Sequence, residues 1–225
     1  MLESQMMSGR TLIHESLAEI REDKLVDRII GDIMWGREFF QFHGMPSGMK
    51  NKQCVSLQTA PGAPRGDIDV LFSDPNIPEQ SVAYQIKRIK LGINQLRNGT
   101  PGKLQEFKKL SQQANLLAKM GFWQVYAYAI VVVDAREQNA EEEKSGKLVF
   151  TGLSSELRSK LETALSSATQ FFEAPVGFGE MQFIQTMDSD PFTVGTHSLH
   201  VRRFAKPTAQ SKALTEWIAG IFSKP

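Results

Sequence analysis

The sequence has little of what marks secreted, disulfide-bonded or membrane-spanning proteins. Its 225 residues include one cysteine, Cys54, which excludes an intramolecular disulfide framework or a cysteine-rich zinc module and fits a reducing compartment. The longest apolar run, residues 125–133, is far shorter than the roughly 20 residues of a membrane-spanning helix. The first residues lack a basic stretch followed by an apolar one, so no secretory signal is predicted. We therefore expect a soluble, cytoplasmic globular protein with no membrane association.

The formal net charge of +1 hides a local separation of acidic from basic residues. Segment 87–119 carries eight Lys or Arg against one acid, Glu106, and residues 39–66 contain no carboxylate. The compensating acids lie in the first 36 residues and around residues 137–143. Segregated charge of this kind indicates an electropositive face and a polyanionic partner. An ordinary solvated helix face is the alternative explanation.

The hydrophobic pattern predicts an α/β protein. Apolar residues recur at helical spacing in residues 11–34 and 103–120, and short β-rich runs occupy residues 67–73 and 82–89 with a turn between them. Residues 91–102 resemble a loop, and residues 123–133 a strand buried on both faces. Further strands are predicted at 39–42, 54–59, 148–153, 180–187 and 193–204, and further helices at 154–172 and 208–222. We expect a core over residues 1–147 and a C-terminal α+β elaboration over residues 148–225, packed on that core or part of the same domain.

The two β-rich runs bring chemistry-bearing side chains together. A turn centred near Ile77 would pair the runs antiparallel with Asp69 opposite Gln85, and Lys87 would share a face with Gln85. Buried polar groups cost desolvation energy unless they are paired, so such a trio has little structural use. Carboxylate and amide oxygens suit Mg²⁺ or Mn²⁺, and the lysine could orient or deprotonate a water for attack on a phosphodiester.

These residues carry a resemblance to a known family. Asp69, fifteen intervening residues and then Gln85-Ile86-Lys87 resemble the D…(D/E)-x-K core of the PD-(D/E)XK nuclease superfamily. The stretch RGDIDV at residues 65–70 is similar to the G-x-I-D-(L/V) entry of small bacterial members. The resemblance implies a restriction-endonuclease-like core, a mixed central sheet flanked by helices. It also implies a DNA endonuclease that depends on Mg²⁺ or Mn²⁺, with Asp69, Gln85 and Lys87 as its catalytic residues.

Gln85 departs from the family pattern, which has Glu or Asp at this position. A glutamine keeps a carbonyl oxygen for a metal but gives up a negative charge, which should weaken cation binding. Two alternatives to the nuclease therefore stay open. One is a catalytically inactive nuclease-fold protein that acts as a DNA-binding or scaffold module. The other is an unrelated α/β protein in which the grouping is a coincidence.

Family members often add a metal-binding acid from the first helix. Glu19 and Asp23 both fall on the apolar stripe that continues through Val26, so they are the candidates to join Asp69 and Gln85 as metal ligands. A solvated helix face explains either acid equally well. Asp67, two residues before Asp69, could also ligate the metal or cap the preceding loop.

Basic residues around the hairpin are candidates for DNA binding because lysine and arginine bind phosphates without reading sequence. We expect this role for Lys50, Lys52, Arg65, Lys90 and Lys103. Arg202 and Arg203 could extend the same surface. Cleavage of both DNA strands by an enzyme with one site per chain would favour a homodimer.

Overall fold

The computed structural model describes residues 19–31, 49–62, 65–99, 101–138, 144, 152–185 and 196–223. The strands are β1 (Lys50–Ser56), β2 (Asp67–Asp74), β3 (Ile77–Gly92), β4 (Gln124–Asp134), β5 (Gly177–Gln185) and β6 (Thr196–Arg203). The helices are α1 (Glu22–Gly31), α2 (Ile93–Arg97), α3 (Pro101–Met120), α4 (Ser155–Ala168) and α5 (Lys212–Phe222), with 3₁₀ turns at Leu57–Thr59 and Thr169–Phe171.

The strands form one mixed six-stranded sheet in the order β1-β2-β3-β4-β5-β6. The first three strands are antiparallel, β3, β4 and β5 are parallel, and β6 returns antiparallel to β5. Parallel neighbours need a crossover connection, which α2 and α3 supply between β3 and β4. The prediction of an α/β protein with a mixed central sheet flanked by helices is confirmed at this level.

The β2–β3 hairpin has the predicted register. Val70 pairs with Tyr84, Leu71 with Ala83 and Phe72 with Val82, the register in which Asp69 stands opposite Gln85. The turn is tighter than predicted, since β3 already begins at Ile77 and an irregularity in β2 between Phe72 and Asp74 absorbs the difference. Side-chain alternation therefore identified the pairing correctly but did not locate the turn.

Hydrophobic cores lie on both faces of the sheet. Helix α1 packs Leu25, Val26 and Ile29 against one face, whose core includes the stacked rings of Tyr84 and Tyr126. Helices α2 to α5 cover the other face with aliphatic and aromatic side chains (Leu96, Phe107, Leu110, Leu117, Leu161, Leu165, Leu214, Ile218). Strand β4 is buried along nearly its whole length, as predicted for a strand covered on both faces. No helix in the described part of the chain is long and apolar enough to cross a membrane.

Several predicted element boundaries were wrong. The first helix begins at Glu22, so Glu19 precedes it; residues 11–18 and 32–34 lie outside the described residues. The strand predicted at 54–59 begins earlier, at Lys50, and ends at Ser56, where a 3₁₀ turn follows. The predicted loop 91–102 contains the end of β3 and all of α2, because Ile93 and Leu96 are buried in the core. The predicted strand 39–42 and most of 148–153 also fall outside the described residues.

The C-terminal segment is built into the same sheet and core. Strand β5 pairs with β4 from Gly177 to Gln185, and β6 forms the second edge of the sheet. Beyond β6, the Gln210 Nε2 donates to the Pro78 carbonyl at 2.8 Å, and the Trp217 Nε1 donates to the Thr59 hydroxyl at 3.0 Å. These bonds fix α5 beside the hairpin that carries the predicted site.

Candidate functional site

The candidate site lies where the backbone hydrogen bonds between β2 and β3 end and side chains of one strand bond to the backbone of the other. Their regular ladder reaches the Val70–Tyr84 pair. Past that pair, the Gln85 Nε2 donates to the Asp67 carbonyl at 2.7 Å, and the Ile86 amide donates to Asp69 Oδ2 at 2.7 Å. Two side chains thus satisfy backbone groups that the ladder would otherwise pair, as buried backbone groups require.

A second carboxylate, that of Glu22 on α1, occupies the next position on the same edge of β3. Glu22 Oε2 accepts the Arg88 amide at 2.7 Å. Since N–H groups alternate between the two edges of a strand, the amides of Ile86 and Arg88 point to the same edge. Asp69 and Glu22 therefore bind successive amides along the open edge of β3.

Lys87 stands between these two amides in the sequence and ion-pairs with Glu22. Its Nζ lies 3.3 Å from Glu22 Oε1 and 3.2 Å from Oε2. The Lys87 and Glu22 side chains remain 30% and 37% exposed, so a solute can reach the pair. The Lys87–Glu22 ion pair is thus accessible, whereas Gln85 is buried beside it in the strand.

The orientation of the Gln85 amide follows from its neighbour. The Asp67 carbonyl accepts a hydrogen bond, so the NH₂ group of Gln85 must face it and the amide oxygen must face away. A glutamate here would place a carboxylate oxygen against that carbonyl. Glutamine can therefore donate to the Asp67 carbonyl, which a glutamate carboxylate cannot do.

The electrostatic environment of Asp69 is crowded with acids. The pKa of Asp69 is raised to about 6, mainly by partial burial and to a smaller extent by Glu22 and Asp67, while the Ile86 amide and Lys87 act in the opposite direction. Burial also raises the pKa of the Cys54 thiol on β1, and four carboxylates raise it further (Asp69, Asp27, Asp67 and Asp23). Acidic side chains from α1 and β2 thus act electrostatically on the same residue of β1, and a bound cation would offset their charge.

Oxygen donors of this kind suit a hard divalent cation such as Mg²⁺ or Mn²⁺. The donors are the carboxylates of Asp69 and Glu22 and the amide oxygen of Gln85. Among the described residues, one group of three Asp, Glu, His or Cys side chains has its ligand atoms within 4.8 Å of one another, Glu162, Glu180 and His200, and it includes neither Asp69 nor Glu22.

An arginine already neutralises the Glu162–Glu180–His200 set. The Arg202 guanidinium donates to both oxygens of the fully buried Glu180 and lies 2.6 Å from Glu162 Oε2. The Gln182 amide donates to both glutamates as well. Hydrogen bonding to Glu180 raises the pKa of Arg202, so the guanidinium stays charged, and we regard the set as an ion-pair network that holds α4 on β5 and β6.

Glu22 is the site residue that the sequence reasoning missed. It precedes Val26 by four residues and Ile29 by seven, the spacing of the buried stripe of α1, so helical periodicity could have identified it. The two predicted helix acids contact other groups: Glu19 lies 3.8 Å from Arg136, and Asp23 pairs with Arg21 at 2.9 Å.

The predicted DNA-binding residues lie on two strands, one helix and one loop. Lys50 and Lys52 are on the edge strand β1, and Arg65 is exposed immediately before β2. Lys90 lies on β3 with its Nζ 4.0 Å from Asp134. Lys103, in the first turn of α3, is near Glu106: a hydrogen bond from Lys109 lowers the pKa of Glu106, and Lys87 and Lys103 lower it further.

Arg202 and Arg203 have structural partners instead of an open basic surface. Arg202 belongs to the buried network with Glu180, and Arg203 donates to the carbonyls of Val176 and Glu173. The expectation that both arginines extend the DNA surface is therefore not supported by their contacts.

Comparison of the chain with protein-family models, with curated proteins and with solved structures found no match.

Proposed function

We propose that the protein is a divalent-metal-dependent DNA endonuclease with a restriction-endonuclease-like core, and that it hydrolyses phosphodiester bonds at the open edge of β3. The observation that carries this proposal is the placement of Asp69 and Glu22 on successive amides of β3, with Lys87 between them. A structural strand edge needs no such concentration of charge, because burying carboxylates costs desolvation energy.

Each residue has a distinct role in the proposed site. Asp69, Glu22 and the Gln85 oxygen would hold Mg²⁺ or Mn²⁺, which supplies a Lewis acid that offsets charge on the scissile phosphate and activates water. Lys87 would donate from its ammonium group to a phosphate oxygen beside the site. The lysines of β1, Lys90 and Lys103 would bind flanking phosphates.

The order of elements supports the fold assignment. A helix packed behind a sheet, an antiparallel hairpin with the acidic residues, a crossover helix and a buried parallel strand follow one another as α1, β2–β3, α3 and β4. This is the order expected of the superfamily that the Asp69…Gln85-x-Lys87 motif resembles. Strands β5 and β6 extend that sheet.

The test is cleavage of supercoiled plasmid and of branched and single-stranded oligonucleotides in Mg²⁺ or Mn²⁺. We expect Asp69→Ala, Lys87→Ala and Glu22→Gln each to lower the cleavage rate by about 100-fold or more, because each removes a charged group that acts on the reacting phosphate. Glu216→Gln, an exposed acid on α5, is the matched control and should cut like the wild type. Metal-dependent cutting that survives Asp69→Ala and Lys87→Ala would contradict the proposed site.

The second candidate is an inactive nuclease-fold module that binds DNA or scaffolds a complex. The observation that favours it is Gln85, whose amide is committed to the Asp67 carbonyl and adds no charge for a cation. This candidate predicts no cleavage in either metal, together with salt-sensitive DNA binding that Lys87→Ala leaves unchanged. The same plasmid assay, combined with a binding titration, separates the two.

A further inference from the structure

The edge strand β1 runs directly beside the candidate site. It pairs with β2 and has no second neighbour among the described strands of the sheet. Gln53 pairs with Val70, the residue after Asp69, and Asn51 pairs with Phe72. With strands about 4.8 Å apart and a rise of about 3.4 Å per residue, the Cα of Gln53 lies about 6 Å from that of Asp69.

The side chains of Asn51 and Gln53 form no contact in the described residues that would stabilise the fold. Both side chains are exposed, and neither amide hydrogen-bonds to another residue in the described ranges. The Asn115 side chain, by contrast, donates to the Phe171 carbonyl and accepts from the Glu173 amide. These bonds connect α3 to the 3₁₀ turn that follows α4. The amide groups of β1 keep their donors and acceptors for a ligand.

Charge along β1 indicates what that ligand is. Lys50 is exposed at the first position of the strand, and Lys52 follows it between the two amides. Cys54, further along the strand, is within electrostatic reach of the acids of β2 and α1. A polyanion would therefore be attracted to the lysine end and would pass the acids where the proposed cation binds.

The dimensions of the strand match those of double-stranded DNA. Alternation places Asn51 and Gln53 on one side of β1, about 6.8 Å apart, and the lysines on the other side. Base pairs are stacked about 3.4 Å apart, so the two amides would meet base pairs about two steps apart. Asparagine and glutamine make bidentate hydrogen bonds with adenine in the major groove, whereas lysine binds the phosphates of the groove wall.

We propose that β1 lies in the DNA major groove, where Asn51 and Gln53 read base edges with a preference for adenine and Lys50 binds a backbone phosphate. This inference rests on the proposed nuclease function and adds to it the source of a sequence preference. The positions read would lie within a few base pairs of the phosphodiester at Asp69.

The test is the cleavage of a randomised-sequence DNA library by the full chain, with the cut ends sequenced. We expect the wild type to prefer adenine at two positions about two base pairs apart, by about 10-fold at each. Gln53→Ala should abolish the preference at the position nearer the cut, and Asn51→Ala at the other. Gln113→Ala, an exposed amide on α3, should retain both preferences. Lys50→Ala should weaken binding to all sequences and lower the slope of affinity against salt by about one.

Three results would overturn the inference. They are a wild type that cuts without sequence preference, a preference that both alanine variants retain, and a wild type that neither cuts nor binds DNA. The first two leave the proposed nuclease intact, whereas the third removes it as well. If the wild type binds DNA without cutting it, the nuclease proposal fails. Sequencing the library fragments bound by the wild type and by the two alanine variants then decides whether Asn51 and Gln53 read bases.

Discussion

At the scale of the single residue, Asp69 is a carboxylate whose charged form is disfavoured by its surroundings. Its carboxylate is partly buried and lies near Glu22 and Asp67, and the Ile86 amide and Lys87 offset only part of that cost. A group held in this way favours a proton or a cation. Without a metal, the charge on Asp69 should therefore destabilise the fold.

Asp69→Asn should increase the free energy of unfolding at pH 7.5 in EDTA. The pKa of Asp69 is about 6 in the folded protein against an ordinary value of 3.8, so folding loses stability as pH rises from about 4 to about 6 and stays lower above that range. At about 1.4 kcal/mol per pKa unit, the gain should be about 3 kcal/mol at pH 7.5 and should vanish as pH falls towards 4. Urea titrations of both proteins across this pH range measure it. A gain that does not change with pH would contradict the assigned cause.

At the scale of the element, the network of Arg202, Glu180 and Glu162 fastens α4 to the sheet. Glu180 is fully buried on β5, and its charge is matched by a guanidinium from β6 that also reaches α4. Removing one partner from a buried ion pair leaves an uncompensated charge, which is more costly than the pair is stabilising. Arg202 and Gln182 thus both connect α4 to the sheet, in addition to the packing of Leu161 and Leu165 in the core.

Arg202→Ala should lower the free energy of unfolding by about 3–5 kcal/mol because Glu180 is left charged and buried. The double variant Arg202→Ala with Glu180→Gln should recover a large part of that loss, since the buried charge is gone. Urea unfolding at neutral pH measures both. Additive losses in the double variant would show that packing, and not the ion pair, is responsible.

At the scale of the whole molecule, the continuous sheet makes the C-terminal third part of the fold. Strand β5 covers one edge of β4, and α4 and α5 contribute to the core above it through Leu161, Leu165 and Leu214. A chain that ends at residue 147 would leave the apolar β4 as an open edge. Open apolar edges promote aggregation.

A truncated chain of residues 1–147 should fail to fold, even though it contains the whole candidate site. We expect aggregation on expression, or refolding without a cooperative unfolding transition, because the core between the sheet and its helices is incomplete. Urea unfolding followed by circular dichroism, with the full chain as reference, measures this. A cooperative transition in the truncated chain would show that residues 1–147 form an independent domain.

Much of the hairpin and of the long crossover helix was predictable from the sequence because both depend on local patterns. Alternation in β2 and β3 sets their register, and helical spacing from Phe107 to Leu117 places α3. Helix α2 was missed because the burial of Ile93 and Leu96 in the core decided it. Which of Glu19, Glu22 and Asp23 reaches the site depends on which face of α1 packs against β3. Helical periodicity limits that face to a stripe of residues, and tertiary packing selects the acid.

By itself, the sequence determined the α/β class, the register in which Asp69 stands opposite Gln85, and the position of Lys87 on the same face of β3 as Gln85. All three follow from short-range periodicity. The tertiary structure alone decided that β1 lies at the edge of the described sheet with the side chains of Asn51 and Gln53 exposed. It decided as well that the Gln85 side chain directs its NH₂ group, and not its oxygen, towards the Asp67 carbonyl. It also decided that Arg202 serves the core, while Lys50 stays exposed. These features depend on contacts between residues far apart in the chain, and no local pattern of side chains encodes them.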